Sequence, residues 1–138
     1  MVYYSMKGNK VGTKPAAYRV RNQMNKAWIG VDLDGTLAHY EGWTNGSIGK
    51  PIEPMLKRVK KWLRSGKKVK IFTARVSRDD DGFQERLIKK WSKEHLGQEL
   101  EVTCVKDLGM IELWDDKAMR VELNTGKLIS LRPEESAI

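Results

Sequence analysis

One cysteine, Cys104, stands in a chain of 138 residues. No intramolecular disulfide can form, which excludes a small secreted module held by bridges. No apolar run approaches the ~18 residues a membrane helix needs. The opening MVYYSMKGNK has no apolar stretch of the signal-peptide kind. These absences argue against a membrane protein and make the cytoplasm the expected location. The two histidines, His39 and His95, have no partners at metal-ligand spacing.

Acids are missing from two stretches. Residues 1–27 carry six basic side chains and no acid, whereas the whole chain has 26 bases against 18 acids, a net charge of +8. The other 111 residues are therefore nearly balanced at +2, with 20 bases and 18 acids. Such asymmetry points to a polyanionic partner for a basic arm over residues 1–26. Glycine, Pro15 and scattered asparagines leave that arm without a clean period, so it reads as a flexible loop. The second stretch, residues 57–70, holds eight Lys/Arg and no acid. It reads either as a solvated helix face or as a track for a phosphate backbone.

One domain is expected over residues 27–132, followed by a frayed tail at 133–138. Ala27–Val31 (AWIGV) and Val69–Thr73 (VKIFT) are short apolar runs of buried-strand type. Leu100–Val105 and Met110–Trp114 read as two further strands, and Met119–Leu123 and Lys127–Leu131 as two short ones around Asn124-Thr125-Gly126. Pro54–Ser65 has apolar residues at helical spacing, an early proline and Gly66 as a stop. Asp80–Leu96 reads as a second helix that ends at Gly97. Between the first strand and the first helix, Asn45-Gly46 marks a tight turn in a small flap over residues 39–50. Trp62 and Trp91 lie on helical apolar stripes and read as core, as does Cys104 within its strand.

Strands alternating with helices favour a parallel sheet covered on both faces. Ligands in such sheets sit at the carboxyl ends of the strands. The polar residues after each apolar run are Asp32 and Asp34, Thr73 and Arg75, Lys106, and Asp115 with Asp116. Two like charges at ~4 Å repel by about 1 kcal/mol in water and about 4 kcal/mol at an effective dielectric of 20. Several carboxylates in one pocket therefore call for protonation or a cation. Hard oxygen ligands without a Cys or His partner favour magnesium over zinc.

Asp32 is placed to act as a nucleophile and Asp34 as a general acid and base. Gly35 clears space where a phosphate approaches the backbone. Thr73 offers a hydroxyl and Lys106 a compact positive charge. A calcium loop starting at Asp32 fails, because its fifth position is Thr36 and its twelfth is Trp43. Trp43 either stacks on a base or packs the flap. Arg75 either reaches substrate or forms a salt bridge.

Four segments in order carry a family resemblance. Val31-Asp-Leu-Asp-Gly-Thr-Leu37 resembles the first motif of the haloacid dehalogenase superfamily, Asp-x-Asp-x-Thr after a hydrophobic strand. Thr73, Lys106 and Leu113-Trp-Asp-Asp116 resemble its second, third and fourth motifs. The resemblance spans residues 28–123. It implies a three-layer Rossmannoid fold, with Asp32 as nucleophile and Asp34 as acid/base. It also implies magnesium held by Asp32, the Asp34 backbone carbonyl and Asp115, with Asp116 the alternative to Asp115. Asp34, an aspartate at the second acidic position of the first motif, implies a phosphatase or phosphotransferase rather than a dehalogenase.

Between Thr36 and Thr73 lie 36 residues, and between Thr73 and Lys106 lie 32, which leaves no room for a cap domain. Open members of the family tend to accept macromolecules, or small substrates closed off by a neighbouring subunit. The expected substrate is a nucleotide or a phosphorylated nucleic-acid end. The alternatives are a phosphatase of small esters and a nucleic-acid-binding protein with a vestigial site.

Overall fold

The computed structural model describes residues 2–4, 10–13, 26–43 and 45–129. Two short strands, β1 (Val2–Tyr4) and β2 (Lys10–Thr13), pair antiparallel. They lie inside the stretch whose sequence reads as unpatterned loop. Apart from Lys26, the remainder of the basic arm falls outside the described residues, as does the tail at 133–138.

The main sheet has four parallel strands: β3 (Trp28–Val31), β4 (Val69–Phe72), β5 (Glu101–Thr103) and β6 (Met110–Trp114). Their order is β5-β4-β3-β6. The chain steps from β3 outward to β4 and β5, then returns to the other side of β3. The strand order thus reverses between β3 and β6, as in Rossmann-like α/β sheets, and a crevice opens there at the carboxyl ends.

Helix α1 (Glu53–Arg64) links β3 to β4, and α2 (Phe83–Leu96) links β4 to β5. The two crossovers run in one direction, and right-handed crossovers place both helices on one face. The core agrees. Ile29 and Val31 of β3 pair in register with Val69 and Ile71 of β4, so the four side chains share a face. They cluster with Met55, Leu56 and Val59 of α1 and Ile88, Trp91 and Leu96 of α2. The sequence implies helical cover on both faces. Among the described residues helices cover one, because β5 passes to β6 without a helix.

Alternate residues take the other face. The Trp28 indole is buried there, with the Lys70 ammonium 4.4 Å from its ring centre and its Nε1 donating to Asp107 Oδ1 at 2.8 Å. Lys70 Nζ also meets Glu101 at 2.6 Å. This member of the basic run is therefore a buried structural cation, not part of a solvated face.

Other features differ from the sequence reading. Helix α2 begins at Phe83, not at Asp80. The Asp79 carboxylate accepts the backbone N–H groups of Gln84 and Glu85, so residues 79–82 form its cap. The two short strands expected around residue 124 are absent over the described residues. A single bridge, Val121 to Leu128, closes a turn with Asn124 and Gly126 at positive φ. Residues 130–131 lie outside the described set. Cys104 is exposed just after β5 rather than in the core. No described helix is long and apolar enough to cross a membrane.

Candidate active site

The turn after β3 is pinned from inside. Leu33 and Leu37 are both fully buried. The Leu33 carbonyl accepts the N–H groups of Thr36, Leu37 and Ala38. With the leucines held inward, Asp32 and Asp34 face the crevice. Gly35 is needed for two reasons. Its φ is +92°, and a Cβ there would sit 3.0 Å from the Asp116 carboxylate oxygens. Its N–H donates to the Ala38 carbonyl at 2.8 Å. The room that Gly35 leaves is thus occupied by Asp116.

Across the strand-order reversal, the Asp32 N–H donates to the Trp114 carbonyl at 2.9 Å, which sets Asp115 and Asp116 beside Asp32. One carboxylate oxygen from each of Asp32, Asp115 and Asp116 lies within 4.8 Å of the others. The Thr36 hydroxyl, almost buried, donates to Asp116 Oδ1 at 3.0 Å, with Asp32 Oδ2 at 3.3 Å as its other acceptor. The Asp115 carboxylate accepts the Lys117 backbone N–H at 2.7 Å. Burial first, then the hydrogen bond with Asp116 and the charges of Asp115 and Asp116, push the Asp32 carboxyl up to about 7.

Thr73 follows β4 and is buried. Its Oγ1 accepts the Arg75 backbone N–H at 3.2 Å, which leaves the hydroxyl proton free to donate. Arg75, on the 3₁₀ turn Ala74–Val76, forks onto Asp34: Nε to Oδ2 at 2.7 Å and Nη2 to Oδ1 at 2.8 Å.

The flap takes the expected place. Asn45 and Gly46 form a tight turn at φ of 56° and 73°. The flap's base is closed by the Ala38–Pro51 bridge and by the His39 N–H donating to the Lys50 carbonyl. It is a loop closed at its base rather than a pair of strands.

These residues border a half-open cavity of about 760 Å³. Asp32, Asp34, Thr73, Arg75, Trp43, Asp115 and Asp116 line it.

No protein-family model, curated protein or solved structure matches the chain. The chemistry of the site therefore rests on its own geometry.

Lys106 is exposed on the segment after β5 and is not among the residues lining the cavity; Lys117 is. Tyr40, Ser77, Arg78 and Cys104 also line it, and sequence reasoning singled none of them out for the site. Lys117 had a local signal, since it directly follows the acidic pair. Thr36 had one too, as the last residue of Asp-Leu-Asp-Gly-Thr. Tyr40 and Arg78 lie on connecting loops, and no periodicity marks them.

Three hard carboxylate oxygens within 4.8 Å of one another are a donor set of the kind magnesium takes. The Asp34 side chain is engaged by Arg75, so this residue's contribution to a metal would come from its backbone carbonyl.

Proposed function

We propose that the chain is a magnesium-dependent phosphohydrolase of haloacid dehalogenase type that acts through an aspartyl-phosphate on Asp32. One observation carries the reading. The carboxyl ends of β3, β4 and β6 bring Asp32 and Asp34, Thr73, and Asp115 with Asp116 to one cavity at the strand-order reversal.

The reaction divides into two displacements. With Asp34 entering the step protonated on a lone pair outside the Arg75 fork, an Asp32 oxygen attacks phosphorus, the bond from phosphorus to the leaving oxygen breaks, and Asp34 gives that oxygen its proton. Water then attacks the aspartyl-phosphate, Asp34 takes its proton, and the Asp32 carboxylate is regenerated with release of phosphate. Thr73 directs its hydroxyl proton at a phosphoryl oxygen, and Lys117 supplies positive charge at the cavity wall. Asp32, Asp115 and the Asp34 carbonyl, with Asp116 beside them, would hold magnesium, which neutralises the carboxylates and polarises the phosphoryl oxygens.

The substrate we favour is a nucleotide or a phosphorylated nucleic-acid end. The cavity falls in the size range of sites that hold whole small molecules. Its wall presents the exposed rings of Trp43 and Tyr40 and the cations Arg78 and Lys117.

Turnover of p-nitrophenyl phosphate with magnesium, and its loss in Asp32→Asn, tests the reaction. A panel of nucleotides, sugar phosphates and phosphorylated oligonucleotides tests the substrate. Absence of turnover with every ester, together with retention on heparin at high salt, would favour the vestigial nucleic-acid binder instead.

A further inference from the structure

Arg75 uses every N–H its guanidinium carries. Two bonds go to Asp34, as described above. Nη1 donates to the Gly46 carbonyl at 2.6 Å and to Gln84 Oε1 at 3.4 Å, and Nη2 donates to the Ser47 carbonyl at 3.0 Å. The guanidinium also lies 4.8 Å from the centre of the Trp43 ring, and its side chain is only 4% exposed. Five donors in a rigid plane thus meet five acceptors on three separate segments: the turn after β3, the flap tip and α2. The backbone bond to Thr73 fixes the root of this side chain at the end of β4.

The flap is anchored elsewhere at its base, and by Trp91 Nε1 donating to the Gly49 carbonyl at 3.0 Å. Its tip, which carries Trp43, meets the catalytic turn through Arg75. A carboxylate has about four lone-pair sites. The fork takes two of them, and Asp34 still lines the cavity.

We propose that Arg75 is the positioning residue of the leaving-group side of the site: it holds Asp34 and the flap tip as one unit. This rests on the phosphohydrolase reading and names the part of that site that selects the leaving group. In the first displacement the leaving oxygen must accept a proton from Asp34 if it departs from an alkyl carbon. The p-nitrophenolate ion is stable and departs without one. Loosening Asp34 therefore slows alkyl esters more than p-nitrophenyl phosphate. Loosening the flap also removes the wall against which a large leaving group rests.

The test compares kcat/KM for a nucleoside 5′-monophosphate and for p-nitrophenyl phosphate in the wild-type protein, Arg75→Gln and Arg75→Lys. Misplacement of a catalytic group by ~1 Å is worth up to ~100-fold. Arg75→Gln should lower both values and lower the nucleotide's by at least ~10-fold more. Arg75→Lys keeps the charge but not the fork and should shift the same ratio in the same direction, which preserves the test if the glutamine variant does not fold. Amide hydrogen exchange at residues 45–48 should accelerate in either variant, with β3 and β4 unchanged.

Equal losses for the two esters, an Arg75→Lys protein indistinguishable from wild type, or unchanged exchange at the flap tip would each overturn the assignment. If the wild-type protein hydrolyses both esters and the ratio does not move, only the role of Arg75 fails. If it hydrolyses neither, the phosphohydrolase reading fails and takes this role with it.

Discussion

Thr36 and Asp116, 80 residues apart in the chain, bind each other twice. The Thr36 hydroxyl donates to the Asp116 carboxylate and accepts the Asp116 backbone N–H, each at 3.0 Å. One small side chain thereby fastens the turn after β3 to the turn after β6, where the acidic cluster forms. A valine of the same shape would leave both Asp116 groups without this partner. Thr36→Val should cost about 1 kcal/mol of stability, the net worth of such hydrogen bonds, because Asp116 is exposed and water can take up its freed groups. Thr36→Ser keeps the hydroxyl and should recover most of it. Urea unfolding of the two variants checks this, and equal losses would place the effect in packing rather than in the hydroxyl.

Magnesium should stabilise the fold. Asp32, Asp115 and Asp116 repel one another when ionised, and an ion that binds only the folded chain relieves that repulsion. At ten times its dissociation constant the ion adds about 1.4 kcal/mol. Thermal melts with and without millimolar magnesium should show the rise, and Asp115→Ala should abolish it along with turnover. A melting temperature indifferent to magnesium would remove the metal from the account.

The raised carboxyl of Asp32 predicts a pH dependence with a definite sign. The folded value is about 7 and the unfolded value 3.8, so between them the folded state holds a proton that the unfolded state has lost. Stability from this group is therefore lost as pH rises from about 4 to about 7, and is flat above. Asp32→Asn removes the titration. Without metal, the variant's stability relative to wild type should climb across that window. Asp32 is only partly buried, so solvent screening reduces the size of the effect, and the sign and the window are what the measurement reads. Saturating magnesium should reverse the comparison at pH 8, because the ionised wild-type side chain then binds the ion and asparagine does not. Denaturation midpoints at several pH values, with and without magnesium, decide it.

Much of the frame is legible in the sequence because burial writes it there. Ile29, Val31, Val69 and Ile71 are apolar because α1 and α2 cover them, and a run of such residues followed by an acid announces a strand end. The strand-end rule then places Asp32, Thr73 and Asp115 together without any structure. Side-chain geometry between distant segments leaves no such trace. Nothing local in Arg75 distinguishes a fork onto Asp34 from a substrate contact, since the partner lies 41 residues away. The late start of α2 was hidden for a related reason. Asp79, Asp80 and Asp81 are equivalent in the sequence, and only the fold shows Asp79 turned onto the N–H groups of Gln84 and Glu85. Lys106 and Lys117 differ likewise in where the chain turns after β5 and β6, which strand patterning does not encode.

The basic arm yields the last prediction. Lys7, Lys10, Lys14, Arg19, Arg21 and Lys26 account for +6 of the chain's +8, and no acid lies among them. A polyanion bound there releases counterions, and each neutralised phosphate steepens the salt dependence by roughly 0.7–0.9 log units per log unit of salt. Changing all six residues to glutamine in the full chain keeps its length and every residue of the acidic cluster. The variant should bind a 5′-phosphorylated oligonucleotide more weakly. Its plot of log affinity against log salt should be flatter, by up to about 4–5 units if all six contact phosphate. Hydrolysis of p-nitrophenyl phosphate should persist, since that ester presents no backbone for the arm to hold. Fluorescence anisotropy across a salt series reads the slope. Equal slopes for the two proteins would show that the arm meets no phosphate. The case for a nucleic-acid substrate would then rest on the cavity wall of Trp43, Tyr40, Arg78 and Lys117, and small phosphate esters would move ahead of it.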